Sequence, residues 1–279
     1  MNDLQLLENT QLRDDLPDFR AGDILVPAGT RLGPAHLGLA ASAGIAELVV
    51  HDRLRVTLLT SGDEVIPPGH PLLPGQIYNA NGPMLRGLLE QLGCEIIHAD
   101  HHPDHLDATR ATLERVAGDC DVILTSGGVS VGEEDHIKAA VESLGRIDMW
   151  KVRMKPGKPL AFGQVAGTPF IGLPGNPVSG FATFLLFARP YLLARMGARV
   201  APLRSIRLPA AFARPVAGDR RDFARGRITP DQRVELYANQ GSGILSSLTW
   251  AEGLVEIPEH ATVAPGDLVD VHLLAELLA

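Results

Sequence analysis

The sequence predicts an α/β protein in which a doubly wound, mostly parallel sheet is followed by a small C-terminal β-barrel domain. Three observations carry that expectation. From Leu54 to about Gly197, short β-branched apolar runs alternate with segments of helical apolar spacing, the pattern of strands joined by crossover helices. From about Ala198 onward, helical spacing gives way to short β-like runs punctuated by Gly and Pro. The length, 279 residues with 45% hydrophobic and 21% charged, exceeds one typical domain and is ordinary globular material.

In chain order, residues 1–50 are turn-rich, with one short helical pattern and an apolar end, and form a segment too small to bury a core alone. Residues 51–198 supply the sheet: strand LRVTLLT, helix GPMLRGLLEQLG, strand CEIIHAD, helix HLDATRATLERVAG, strand DVILTSGG, helix DHIKAAVESLG and strand IDMWKV. PLAFGQVAGTPFIGL and a long helix from Pro177 complete that part. In the first helix Met84, Leu85, Leu88, Leu89 and Leu92 make one core-facing stripe. Residues 199–279 carry the barrel runs RSIRLPAAFA, RRDFARGRI, RVELYA, GLVEIP and DLVDVHLL.

Composition excludes several classes. A net charge of −8 argues against a general nucleic-acid surface. No apolar run approaches a membrane span, and MNDLQLLENTQLRDD lacks the basic-then-apolar order of a signal peptide, so the expected compartment is the cytoplasm. Cys94 and Cys120 each adjoin an apolar run and read as buried free thiols. Only four of the 25 cationic residues are lysines, yet three of them, Lys151, Lys155 and Lys158, fall within KVRMKPGK. Two ammonium groups in a turn fixed by Pro and Gly repel each other unless an anion sits between them.

The chemistry concentrates at strand ends. LLTSGDE (58–64) and ILTSGGV (123–129) both close an apolar strand with Thr-Ser-Gly, and in open α/β sheets ligands sit beyond the carboxyl ends of strands. The second continues as TSGGVSVGEEDH into a helix. Glycines there let backbone amides approach a ligand, the helix start favours anions, and the carboxylates suit a divalent cation shared with a phosphate. Taken alone, the stretch reads equally as a glycine turn whose acids complement a helix dipole. Asp63 and Glu64 after the first motif, and Glu133, Glu134 and Asp135 after the second, could jointly hold Mg²⁺ and orient a water. A third strand runs into PGNPVSG, where Asn176 is placed to cap a helix, Pro177 to start it and Ser179 to sit in its first turn, a second anion site. HADHHPDHLD, with His98, His101, His102 and His105, is read as a polar loop in which Asp104 caps the next helix, because imidazoles prefer transition metals to Mg²⁺. Asn81 is read first as a cap of the first helix and second as a ligand-edge contact. No GxSxG, GxxxxGK[ST] or HExxH occurs, so serine-hydrolase, P-loop and zincin chemistries lack support.

TSGDE, QIYNANGPML, TSGGVSVGEEDH, KVRMKPGKPLAFG and GLPGNPVSG, in this order, resemble the MoeA and gephyrin E-domain family, the molybdopterin molybdenumtransferases. RRDFARGRI and GSGILSSLTWAEGLVEIP resemble that family's last domain, and the match runs from about Asp18 to the end. The resemblance implies a MogA/MoaB-like sheet and the last step of molybdenum cofactor synthesis: molybdate and adenylyl-molybdopterin react with Mg²⁺, AMP leaves, and molybdenum stays on the dithiolene. By motif, Glu64, Asp135 and Asp18 match active-site carboxylates, with Glu64 and Asp135 on the metal. Thr60, Ser61, Ser126, Gly127, Gly128 and Ser130 would contact pterin or phosphate. Lys155, Lys158 and Ser179, with Arg220 and Ser242 from the last domain, resemble the molybdate site, and Gly62, Asp63, Asn81, Gly175 and Asn176 are further cofactor-binding positions. The implied partners are small molecules, a molybdopterin adenylyltransferase, molybdoenzymes and a second copy of the chain, with no nucleic acid and no membrane.

Two departures accompany the resemblance. Relatives carry a long further N-terminal region used for dimerisation, of which residues 1–50 resemble the returning tail, and Asn79 stands where many relatives have Asp. An insertase and a non-catalytic molybdopterin carrier are therefore both carried forward. A pyrophosphatase of the CinA type is disfavoured, because that group has GGLGPT where this chain has GGVSVGEED.

Overall fold

The computed structural model describes residues 4–5, 19–20, 22–102, 104–128 and 136–279. By its internal packing the chain divides into two units, Met1–Arg53 with Pro190–Ala201, and Leu54–Arg189 with Pro202–Ala279. In the first, β1 (Leu4–Gln5) pairs antiparallel with β2 (Ile24–Val26), and α1 (Pro34–Ser42) starts on a proline, the residue already set to helical φ. The Gly33 amide donates to His36 Nδ1 at 2.9 Å, closing that helix start.

The second unit opens with β3 (Arg55–Ser61), whose last six residues are all buried, the mark of a strand covered on both faces. A parallel ribbon of β4 (Val65–Ile66) and β5 (Ile77–Tyr78) brings the chain back beside the end of β3. Then come α2 (Asn81–Leu92), β6 (Glu95–His102), α3 (Leu106–Ala117), β7 (Val122–Ser126), α4 (His136–Leu144), β8 (Gly145–Lys151), β9 (Met154–Lys155), β10 (Pro159–Val165) and β11 (Thr168–Leu173). The six-stranded sheet has the order β6-β3-β7-β11-β10-β8. β6, β3, β7 and β11 run parallel, while β10 runs antiparallel to both of its neighbours. Ala166 and Gly167, with φ of 48° and 87°, form the two-residue turn that sends β10 back as β11. The carboxyl ends of β3, β7 and β11 and the start of β10 therefore share one sheet edge.

Helices cover both faces. Leu59, Ile123, Phe170 and Ala161 of the sheet pack with Leu113 and Val116 of α3 and with Ile137 and Val141 of α4. On the other face α2 buries Leu85, Leu88, Leu89 and Leu92, the stripe expected from spacing, each leucine contributing about 1.5–3 kcal/mol. Gly93, at φ 93°, ends that helix left-handed, and the Cys94 amide reaches back to the Leu89 carbonyl at 3.0 Å.

Helix α5 (Pro177–Arg195) contains a wide turn at Phe184–Ala188, where the Arg189 amide bonds the Phe184 carbonyl five residues back. By length and composition it could cross a membrane, a feature absent from the sequence reading. Its most apolar stretch is 61% buried inside the protein, as in a core helix.

The C-terminal strands are β12 (Ile206–Pro209), β13 (Arg221–Ile228), β14 (Val234–Leu236), β15 (Gly253–Ile257) and β16 (Leu268–Leu273), with α6 (Ser246–Trp250) before β15 and α7 (Leu274–Leu278) last. They pair in the order β12-β16-β15-β13-β14. The bridge from Ala210 to Val234 joins the continuation of β12 to β14 and closes the barrel around Ala224, Val234, Val255 and Val271. No unit boundary separates barrel from sheet. β9 leaves the sheet part and pairs with β13, and Gln91 of α2 donates to the Leu278 carbonyl of α7 at 2.9 Å.

Two local expectations are corrected. β6 continues through His102, so the histidines expected in a loop lie mostly on a strand: His98 faces Asp119 at 3.7 Å, and His102 is buried. Helix α3 then starts after His105 without a side-chain cap, so Asp104 does not cap it. Its amide instead donates to Asp63 Oδ1 at 3.0 Å, which fixes the loop against the end of β3.

Candidate functional site

Where β3 and β7 end, two glycines allow a contact that no side chain would permit. Gly127, at φ 92°, lies so close to β3 that a Cβ there would stand 2.4 Å from the Ser61 carbonyl. A Cβ on Gly128 would meet Ile137 at 2.7 Å and Ser61 Oγ at 3.0 Å. The Gly175 Cβ position lies 3.5 Å from Gly127 Cα, so the turn after β11 joins the same bare backbone surface. Ser61, Gly127, Gly128 and Gly175, all among the expected cofactor-binding residues, lie together.

The hydroxyls divide into two kinds. Thr60 Oγ1 accepts from Asn79 Nδ2 at 2.9 Å and lies 3.2 Å from His101 Nδ1, and Thr60 is buried. Ser126 Oγ accepts from Asn81 Nδ2 at 2.9 Å and donates to the Pro174 carbonyl at 3.2 Å. Both hydroxyls are already engaged inside the protein and help to position the edge. Ser61 Oγ and Asn81 Oδ1 are buried with no hydrogen-bond partner among the described residues. Buried orphan polar atoms cost free energy and mark places where a ligand can complete the bonding.

The capping part expected first of Asn81 is taken by Asn79. Asn79 Oδ1 accepts the Gly82 amide at 2.8 Å and so caps α2, while Asn81 turns to the sheet edge and also donates to the Gly175 carbonyl at 2.7 Å. The β4–β5 ribbon explains this, because the Asn79 amide is itself held by the Ile66 carbonyl at 2.8 Å. Asn176 occupies the cap position of α5 without a side-chain bond; the Val178 amide is taken by the Ser242 carbonyl from the barrel loop at 3.0 Å. With no amide on Pro177, the start of α5 is a poorer anion site than its sequence suggested.

Carboxylates flank this surface unevenly. Glu64 is exposed and folds back over Gly62, whose Cβ position lies 2.9 Å from Glu64 Oε2; Asp63 is exposed and already bonded to Asp104. Asp18, Ser130 and Asp135, together with Glu133 and Glu134, lie outside the described residues. Among the described residues no three or more His, Cys, Asp or Glu side chains gather to hold a metal. Mg²⁺ is commonly held by one or two carboxylates plus phosphate oxygens and waters, and the exposed Glu64 meets the first of those needs.

The lysine turn lies at the start of β10, on the same edge. Gly157, at φ 105°, packs against the first turns of α5, with its Cβ position 2.6 Å from Thr183 Cγ2 and 3.8 Å from the buried Ser179. Lys158 is exposed, and its carbonyl accepts the Val152 amide at 3.0 Å. Lys155 Nζ stands 3.6 Å from Asp222 Oδ2, so part of the repulsion expected to need an anion is balanced within the chain. Beside it, a cavity of about 130 Å³ is lined by Lys155, Arg214, Arg220, Asp219 and Asp222, among others. Three cations against two carboxylates leave it net positive. From the end of β3 to the start of β10 are three strand spacings, about 14 Å at about 4.8 Å each. The candidate site thus combines a glycine-rich sheet edge with a cationic cavity lined mostly by barrel residues.

Sequence reasoning missed Arg214, Asp222 and Arg225. Arg225 is buried, with Nε donating to Ser247 Oγ and NH2 to the Gly241 carbonyl, both at 3.0 Å, which holds the loop that carries Ser242. Burial lowers its pKa, partly opposed by the Asp222 charge. The signal available was the density of Arg and Asp in RRDFARGRI, a strand otherwise built to bury its faces.

Residues 57–194 match the family described as "Probable molybdopterin binding domain", and residues 207–274 match "MoeA C-terminal region (domain IV)". A molybdopterin molybdenumtransferase from Haemophilus influenzae is 35% identical over 277 residues, covering 97% of this chain and 68% of the relative. Molybdopterin molybdenumtransferase 2 from Mycobacterium tuberculosis is 37% identical over 279 residues, covering 96% and 68%. Among solved structures, a molybdopterin biosynthesis MoeA protein from Pyrococcus horikoshii superposes with a TM-score of 0.78 at 31% identity, covering 91% of this chain and 62% of that one. The chain thus spans about two thirds of the length of these relatives.

Proposed function

Because the chain belongs to the molybdopterin molybdenumtransferase (MoeA) family, we propose that it transfers molybdate onto adenylyl-molybdopterin in a Mg²⁺-dependent reaction that releases AMP, in the cytoplasm. One observation carries the reading: among the described residues the sheet edge presents orphan polar atoms and bare glycine backbone, and Lys155, just before the turn that enters β10 at that edge, lines a net positive cavity of the barrel. An elongated pterin phosphoanhydride and a small oxyanion fit that division.

Ser61 Oγ and Asn81 Oδ1 would complete their bonding on the pterin-phosphate ligand, with the Gly127 and Gly128 backbone free to approach it closely. Lys155 and Arg220, with Lys158 from the same turn, would hold molybdate by charge-assisted hydrogen bonds. Glu64, with Asp135 assigned by the family resemblance, would hold Mg²⁺, whose chemistry there is to neutralise developing phosphate charge. Asp18 is assigned to the site by motif alone.

The test is AMP release from adenylyl-molybdopterin in the presence of Mg²⁺ and molybdate. Replacing Glu64 by Ala should slow it by about 100-fold, the scale of losing one group that stabilises transition-state charge. An unchanged rate would remove the reading. A pterin-binding carrier is the second reading, favoured by Asn79: by the family resemblance many relatives have Asp at this position, and the Asn79 amide is occupied by Thr60 and Gly82. Tight molybdopterin binding without AMP release would select the carrier.

A further inference from the structure

The geometry points to Asp222 as a positioning residue for anion capture, an assignment that rests on the molybdate-accepting reading above. β9 and β13 pair in parallel with Met154 opposite Arg221 and Lys155 opposite Asp222. Register alone therefore delivers the carboxylate to the ammonium. A single oxygen, Oδ2, accepts from Arg214 NH2 at 2.7 Å and stands 3.6 Å from Lys155 Nζ. The Asp222 side chain is 8% exposed, whereas those of Lys155 and Arg214 are 44% and 29% exposed. The carboxylate is the fixed partner and the cations are the ends that could swing away.

All three groups line the same cavity. Lysine carries its charge on a flexible four-carbon stem, so an unanchored Lys155 beside Arg214 would turn to solvent and away from the like charge. Anchored on one shared oxygen, both cations keep further N–H donors for an anion. Two effects oppose each other when the carboxylate is removed. The cavity gains net positive charge, which favours an anion, and it loses preorganisation, which disfavours one. Exposure of the cations screens the first effect, whereas a misplacement of about 1 Å can cost on the order of 100-fold. Positioning therefore outweighs charge, and Asp222, although negative, strengthens binding of an anion.

Asp222→Asn and Asp222→Glu are compared with the unaltered chain by calorimetric titration with molybdate and by AMP release at varied molybdate. The Asn variant should raise the molybdate Kd and KM by about tenfold or more, with kcat at saturating molybdate little changed. The Glu variant, keeping the charge one methylene away, should fall between. Equal or tighter molybdate binding by a folded Asn variant overturns the assignment. Should that variant not fold, the Glu variant decides: a Kd raised above that of the unaltered chain supports the assignment, and an unaltered Kd overturns it. An unaltered chain that binds molybdate but releases no AMP removes the transferase reading while leaving the Kd comparison intact. One that binds no molybdate removes both.

Discussion

Asn81 ties two strand ends to one helix: its Nδ2 donates to Ser126 Oγ at 2.9 Å and to the Gly175 carbonyl at 2.7 Å, joining the ends of β7 and β11 to the first turn of α2. Its Oδ1 is left buried and unpartnered among the described residues. Changing Asn81 to Asp keeps the size but deletes both donors and sets a carboxylate against a carbonyl. The affinity for adenylyl-molybdopterin should fall by about 1.5–3 kcal/mol, the scale of one charge-affected hydrogen bond. Calorimetry of that ligand measures it, and an unaltered affinity would show that the amide does not meet the ligand.

Gly127 and Gly87 should respond to alanine in opposite directions. At Gly127 the backbone is left-handed and the new Cβ would lie 2.4 Å from the Ser61 carbonyl, a clash with backbone that no rotamer relieves. A loss of at least about 1–3 kcal/mol is expected, along with ligand binding. Gly87 is exposed inside α2, and its Cβ position meets nothing within 4 Å, so alanine there should stabilise by about 0.5–1 kcal/mol. Urea unfolding of both variants decides it, and similar shifts would contradict the close approach of β3 and β7.

The sheet was legible because its central strands announce themselves. VTLLTS and VILTS are continuous buried runs, and only a parallel layer covered on both faces buries such runs throughout. The carboxyl-edge rule put the Thr-Ser-Gly ends of β3 and β7 on one edge, where Ser61, Gly127 and Gly128 lie beside Gly175. Periodicity could not say which of two asparagines two positions apart would cap α2. That choice was made by the β4–β5 ribbon, a pairing of four residues with little apolar signal. Nor could it find Asp222, whose meaning comes from a two-residue pairing between segments 67 positions apart. Local pattern encodes elements, and long-range register encodes which charges meet.

Arg225 should matter more for stability than for chemistry. Its guanidinium is buried between Ser247 Oγ and the Gly241 carbonyl, and its own amide and carbonyl bond Gln240 at 2.9 Å each. Replacing Arg225 by Met leaves the Gly241 carbonyl and the Ser247 hydroxyl without that donor, at about 1.5–3 kcal/mol for each charged hydrogen bond. The Tm should fall by several degrees. Because the Ser242 carbonyl caps α5 from the same loop, amide exchange at Val178 should also quicken. A lower Tm with unaltered Val178 exchange would disconnect Arg225 from the loop.

Alkaline pH should destabilise the protein through Cys94. Burial among apolar neighbours pushes this thiol up to about 12 from an ordinary 9.0, since an apolar setting penalises the thiolate. In the unfolded chain the thiol ionises near 9.0, whereas in the folded chain it holds its proton until about 12. The folded state therefore binds more protons between those values, and stability is fully present below pH 9.0 and declines as pH rises toward 12. At a pH near 10.5 the loss from this one group is on the order of 2 kcal/mol. Removing the thiol removes the decline, so the stability gap between the unaltered chain and Cys94→Ala should narrow from pH 8 to pH 10.5 in urea titrations. For the same reason iodoacetamide at pH 8 should leave Cys94 unmodified in the folded protein and label it in urea, because only the thiolate reacts. Rapid labelling of the folded chain would mean that Cys94 is open to solvent and that the packing between α2 and β6 is looser than the burial of Leu89 and Leu92 indicates.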